Sequence, residues 1–369
     1  MLVQIHMIQN HAPSNLNRDD TGSPKEALFG GVNRARISSQ CLKRSIRQSE
    51  VFRETMADHL GVRTRRMPLE LKALLEEQGV EAEAVEAIVR KATIFGSDKE
   101  SEDGTTRQLV FLGNDELTGL ADQLLDLYQE TDSKTFAKMK RDELEKQVKS
   151  VLPRSVDIAL FGRMTTSATF EDVQAAAQVA HAISTTRAEH QFDYFTAVDD
   201  LKTDVDDEQG AGMIGDVEFN SATYYKYFAI DATALTRNLG GDSETARRSI
   251  TAFLRAAALA TPSGKQNTFA AHNPPDAILV EVSESHVPVN YVNAFVEPVR
   301  VAAGGGDVVT VSVQRLTDYS TDLNRAYGLT RARAALTTRG MNIEGAEVAE
   351  TLDALAQWVT EKLATASEV

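Results

Sequence analysis

A block of helical pattern interrupts a chain that otherwise alternates between strand and helix. Residues 69–92 are rich in Glu, Ala and Leu, and helical periodicity returns at 115–130 and 134–150, with a polar, acidic loop at 97–108 between them. Before the block, residues 2–8 alternate as a strand with Val3, Ile5 and Met7 on one face. Residues 10–37 hold Pro13, Gly22, Pro24, Gly30 and Gly31 and read as a long polar loop. Residues 38–59 read as a helix with Ser38 or Ser39 as N-cap. After the block, 172–184 reads as helix and 194–215 as an acidic, glycine-containing protruding loop. Residues 216–230, DVEFNSATYYKYFAI, read as a strand with Phe219, Ser221, Tyr225 and Tyr227 on one face. A helix at 243–260, a strand at 276–283, a turn at Gly304–Gly306, a short strand at 308–313 and a helix at 346–365 complete the chain. This order predicts an α+β fold in which a sheet carries insertions, compatible with a ferredoxin-like or RNA-recognition type. The RNP consensus of ordinary RNA-recognition motifs is absent.

At 369 residues the chain is too long for one small core, so it is one domain with large insertions or two domains. Charged residues make up 25% and hydrophobic residues 42%, which excludes a mostly disordered chain. The lone Cys41 builds neither a disulfide framework nor a four-cysteine zinc site, and fits a reducing cytoplasm. The opening MLVQIHMIQ lacks the basic start and long apolar core of a secretion signal, and no apolar run approaches the ~20 residues of a membrane span. The net charge of −15 argues against nucleic acid on average. Binding follows the local field, however, so the distribution matters more than the sum.

That distribution is uneven. Arg34 to Arg47, RARISSQCLKRSIR, contains Arg34, Arg36, Lys43, Arg44 and Arg47 and no acid. On a helix, Lys43, Arg44 and Arg47 fall within about a 100° arc, opposite Leu42, Ile46 and Phe52. Helix-terminal amides near Ser38–Gln40 add positive potential for a phosphate. A solvated helix face is the plainer reading of such charges, but here no acid neutralises the cluster. The preceding loop adds Arg18 and Lys25. Its Asp19–Asp20 pair is either a magnesium site or a pair of turn caps beside cations. The second pair, Asp199–Asp200, lies on the acidic loop. The loop SGKQNTFAAHNPPD offers Lys265 for RNA or for a partner. Gly162, Arg163 and Met164, and Arg187, either touch an RNA backbone or serve structure. Phe195 and Met213, at the ends of the acidic loop, are wedges between bases or staples on the core.

Enzyme signatures are missing. The histidines lack metal-pair spacing, and there is no HExxH, GxSxG, GxGxxG or P-loop. No nucleophile with a nearby base stands out. No cofactor is expected and no catalytic residue is assigned.

Several segments together carry a resemblance. PSNLNRDDTGSPKEALFGGVNRARISSQCLKRSIR, VDIALFGRM, AHAISTT, DYFTAVDD, KQNTFAAHNPPD and NAFVEP, spread over 13–298, resemble the CasC family, the Cas-seven backbone subunit of type I-E Cascade. Cys41 stands where that family usually has Ser. The resemblance implies a palm of RNA-recognition type with helical fingers and a thumb loop. It divides the chain into palm at 1–59, fingers at 60–152, palm at 153–193, thumb at 194–217 and palm at 218–369. It implies a cytoplasmic subunit, polymerised along CRISPR RNA with copies of itself and other Cascade subunits, that presents the guide to target DNA and cleaves nothing. Arg18, Lys25, Ser38, Gln40, Lys43, Arg44 and Arg47 would grip the guide backbone, with Arg163 and Met164 in support. Phe195 and Met213 become thumb wedges. If 134–150 is one helix, Lys134, Lys138, Lys146 and Lys149 share about a 120° arc. That arc alone is a solvated face, but repeated along a filament it makes a track for duplex DNA. A metal-dependent RNA nuclease and a stand-alone single-strand RNA-binding protein are the alternatives.

Overall fold

The computed structural model describes residues 1–95, 97, 99–101, 103–149, 154–197, 213–301 and 306–365. The strands are β1 Leu2–Ser14, β2 Glu26–Phe29, β3 Val32–Ile37, β4 Val62–Thr64, β5 Val110–Leu112, β6 Ala177–Val179, β7 Ala182–Ser184, β8 Gln191–Ala197, β9 Met213–Asp231, β10 Ala277–Ser283, β11 Ala332–Thr337 and β12 Glu347–Val348. The α-helices are α1 Ser39–Gln48, α2 Glu50–Thr55, α3 Met67–Glu77, α4 Ala82–Ala92, α5 Asn114–Glu130, α6 Ser133–Lys138, α7 Arg141–Gln147, α8 Val156–Phe161, α9 Ala232–Asn238, α10 Ser243–Leu259, α11 Gln266–Phe269, α12 Val308–Tyr327 and α13 Leu352–Thr365. The fold is α+β around a ten-stranded sheet, ordered β12-β11-β10-β1-β9-β7-β3-β2, with β6 and β8 also paired to β9.

Two compact units divide the chain. The first holds Met1–Val51, Val179–Ala229 and Phe253–Val369; the second holds Phe52–Gln178 and Ile230–Ala252. In the first unit the sheet is covered on both faces, because consecutive strand residues point to opposite sides. Tyr225 packs with Leu279, Phe295, Val313 and Leu316, whereas its neighbour Tyr224 packs with Ile37, Leu42 and Ala182. This is why β1 is buried at Gln4 and His6 as well as at Val3, Ile5 and Met7. In the second unit, α3, α4 and α5 enclose Leu71, Ile88, Phe95, Leu124 and Phe136. The expected helical insertion at 60–152 falls within that second unit.

The strand β9, the helix α5 and the strand β10 lie where periodicity put them. Other segments differ, each for a local reason. The stretch 10–37 is not one loop: β1 runs on to Ser14, and β2 and β3 form a hairpin closed by Gly30 and Gly31. Both glycines have positive φ, +62° and +78°, the geometry a two-residue hairpin turn needs. The expected helix 38–59 breaks at Ser49, whose ψ is 143°. The helical stretch 69–92 is two helices, ended first by Gly79 at φ +76°. The expected helix 134–150 is also two, α6 and α7, parted where Met139 turns extended at ψ 129°. Residues 172–184 hold strands β6 and β7 in place of a helix, since pairing with β9 and β3 overrides an alanine-rich propensity. Residues 308–313 open α12 instead of forming a strand. Asp307 caps that helix by accepting from the N–H of Val309 and Thr310, and Val309, Val313 and Leu316 follow helical spacing into the core. The last helix starts at Leu352, after the short β12. No helix among the described residues is long and apolar enough to cross a membrane.

Candidate nucleic-acid interface

The interface is built on α1, in the first unit. The Ser38 hydroxyl caps the helix by accepting from the Cys41 N–H at 3.3 Å, and the Ser38 N–H donates to Asn17 at 2.9 Å. Leu42 and Ile46 are buried, each contributing about 1.5–3 kcal/mol of burial energy. They turn the other face outward: Arg44 and Gln40 are exposed, while Lys43 and Arg47 are half-buried. Burial lowers the Lys43 pKa. Among the described residues neither Lys43 nor Arg44 has a carboxylate within ion-pair distance. The electrostatic neighbours of Cys41 are Lys25, Arg44 and Lys226, and those of His181 are Arg36 and Lys25. Cations from the loop before β2, from β3, from α1 and from β9 therefore gather around one helix.

Two of these were not singled out in sequence as site residues. Lys226 is fully buried on β9, and desolvation lowers its pKa to about 8. It acts electrostatically on Cys41 of α1 from the sheet side. Its signal was a single cation inside TYYKYF. Arg36, from β3, donates to the Glu26 carbonyl at 2.9 Å and lies 3.2 Å from His181. Arg34, counted among the five cations of the cluster, points inward. Its guanidinium donates to the carbonyls of Ser184, Thr185, Phe295 and Val296 at 2.7–3.1 Å.

The loop before β2 is fixed by Asp19. Its carboxylate accepts from the Thr21 hydroxyl and from the N–H groups of Thr21 and Ser23, which hold it below the usual carboxylate range. Arg18 is exposed and Lys25 half-buried on this loop. Lys265 comes alongside because Gly264 lies against the carbonyls of Asn15 and Leu16. A Cβ there would stand 2.6 and 2.5 Å from those oxygens. The structure thus brings Arg18, Lys25, Ser38, Gln40, Lys43, Arg44, Arg47 and Lys265 into one unit.

Arg163 and Met164 are in the second unit. Arg163 is buried and bonded to the Glu116 carboxylate at 2.8 Å and to the carbonyls of Phe111 and Glu171. Its donors are engaged internally, so the side chain does not present itself to a phosphate. Met164 is 93% exposed, beside a cavity of about 590 Å³ also lined by Arg63, Leu109 and Phe111. On the hairpin of β8 and β9, Phe195 faces Gly215, and its ring occupies the space that a Cβ at Gly215 would take. Phe192 and Tyr194, passed over in sequence, are each 65% exposed. Met213 pairs with Ala197, but its side chain lies outside the described residues, as do Asp199 and Asp200. Lys134, Lys138, Lys146 and Lys149 are all exposed, but they belong to two helices and the irregular stretch after the second, so the single-helix arc does not exist.

The model of the family described as CT1975-like protein matches residues 3–360. The chain belongs to this family. A chain of a CRISPR RNA-guided surveillance complex, pre-nicking, is 30% identical over 98% of this chain and 100% of its own, with a TM-score of 0.84. A chain of another CRISPR RNA-guided surveillance complex, 24% identical over 99% and 100% of the two chains, has a TM-score of 0.63 and speaks to the fold alone. No curated protein matches the chain. The CT1975-like family and the first of these structures support the CasC-type assignment drawn from the motifs.

Proposed function

We propose that the chain is a CRISPR RNA-binding backbone subunit of a surveillance complex, of the type I-E Cascade kind. The observation that carries this reading is the gathering of cations around α1 with no carboxylate paired to Lys43 or Arg44 in a chain of net charge −15. Arg18, Lys25, Lys43, Arg44, Arg47 and Lys265 bind guide phosphates, with Ser38 and Gln40 at the helix start. Such contacts hold register without reading sequence, which suits a subunit that must accept any guide. The 30% identical chain of a surveillance complex supports the same reading. Copies polymerise along the guide in the cytoplasm with the other Cascade subunits, and the held guide pairs with target DNA. Arg163 enters only by holding the segment that carries Met164. Phe195 and Met213 act as wedges at the ends of the hairpin. Lys134, Lys138, Lys146 and Lys149 hold duplex DNA as scattered points and not as a helix stripe; equal duplex capture by wild type and Lys134→Ala, Lys138→Ala, Lys146→Ala would remove that role.

The subunit performs no catalysis on this reading. The test is labelled single-stranded RNA with magnesium or manganese. The expected result is binding without cleavage. Cleavage that follows the protein peak and disappears with Asp19→Ala or Asp20→Ala would turn the reading toward a nuclease.

A further inference from the structure

His190 stands just before β8 and reaches two carboxylates at once. Its Nδ1 is bonded to Glu218 on β9, and its Nε2 to Glu26 on β2. Both contacts lie at the surface, with side-chain exposures of 30% for His190, 23% for Glu26 and 16% for Glu218. A neutral imidazole has one N–H and can donate to one carboxylate only; two carboxylates at its two nitrogens call for the imidazolium. The ring's two nitrogens face opposite ways, so the trio makes a clasp and not a shared metal site.

Both glutamates neighbour the loop that carries the guide-binding cations, Glu26 through the chain and Glu218 through its backbone. Glu26 follows Lys25 directly, and its other oxygen accepts from the Asn33 amide at 2.9 Å. Asn33 in turn accepts from the Ala188 N–H at 2.9 Å. On the other side, the Glu218 carbonyl accepts from the Asn15 amide at 2.9 Å, and the same amide donates to the Gly22 carbonyl at 3.0 Å. The ring ties the root of the β8–β9 hairpin to the edge hairpin β2–β3, and the backbone of Glu218 is joined through Asn15 to the turn that presents Arg18.

We propose that His190 is a positioning residue for guide RNA: its charged ring clasps Glu26 and Glu218 and sets the β8–β9 hairpin against the cationic loop. This rests on the guide-binding reading above. The clasp also offsets two carboxylates that would otherwise repel phosphates beside Lys25. The groups acting on the ring, among the described residues, are Glu26 from β2 and Glu218 from β9. Desolvation lowers its pKa, but the hydrogen bonds and charges of the two carboxylates outweigh it, and the net shift is upward from 6.5. A raised histidine pKa gives an interaction that is complete at low pH and is lost as pH rises through the folded value. The clasp therefore holds below that value and opens above it.

The test measures single-stranded RNA affinity of the full chain from pH 6 to 9, beside NMR titration of the His190 ring without RNA. His190→Gln is expected to bind about fivefold more weakly at neutral pH, the low end of coupling between linked sites, and to lose the part of the pH dependence that wild type owes to this ring. Lys226 titrates in the same window but is present in both proteins, so the difference isolates His190. His190→Arg, charged at every pH with donors on two edges, is expected to restore affinity. Equal affinity of His190→Gln and wild type at every pH overturns the proposal, as does a ring that titrates at or below 6.5. If Lys43→Gln with Arg44→Gln leaves RNA affinity untouched, the guide-binding reading fails separately, and the ring titration still decides the clasp.

Discussion

Replacing Lys43 and Arg44 by Gln removes two charges from α1 without touching the side that packs. Leu42 and Ile46 carry that packing, so the fold should survive, which circular dichroism checks. Arg47 is left alone because it has contacts of its own. The magnitude follows from counting cations. If four of the six assigned cations, Lys43 and Arg44 among them, each neutralise one phosphate, the log–log salt slope for single-stranded RNA is roughly −3. Raising salt fourfold then weakens wild type about 50-fold. With two phosphate contacts gone the slope falls to roughly −1.4, and the same salt change costs only about sevenfold. The assay is RNA binding across a salt series for the two proteins. An unchanged slope with the fold intact would refute the placement of guide phosphates on this helix.

Arg163→Met leaves the buried Glu116 carboxylate without its cation and should cost about 3–5 kcal/mol in denaturant unfolding; a flattened salt slope at unchanged stability would show a phosphate contact instead. Phe195→Ala with Met213→Ala should cost about 1–3 kcal/mol per stacked base and shorten the RNA protected from nuclease, whereas full protection would restore the staple reading. Burial pushes the His11 pKa down to about 3, with Lys226 adding to the effect. The unfolded chain then binds the extra proton first, so stability falls as pH drops below 6.5 toward 3, by up to about 1.4 kcal/mol per pH unit. His11→Gln should remove that part of the slope in melting curves, and an unaltered slope would assign the acid sensitivity elsewhere.

Where residues obey one local rule, the chain could be read directly. The strand β9 is dense in aromatic and β-branched residues, and α5 has clean helical spacing. The run VVTVSV misled because β-branched composition points to a strand, whereas Asp307 and the core spacing of Val309, Val313 and Leu316 make it the start of α12. The 172–184 segment misled in the opposite sense: its alanines favour helix, but the partners that make it strand are far away in sequence. The basic segment was visible as a charge pattern. Which of its cations face out was not, because Arg34 turns inward only once four carbonyls from segments distant in sequence converge on it. Lys226 and the His190 clasp were hidden for the same reason: each depends on neighbours that only the sheet brings together.

The most direct test of the backbone-subunit account is to express the chain with a CRISPR RNA and its companion subunits, purify through a tag on this chain, and determine particle mass and RNA length together. The account predicts a particle holding several copies of this chain and one RNA of uniform length, protected along its course. A monomer with no RNA, or one bound to short RNA of mixed length, would contradict it.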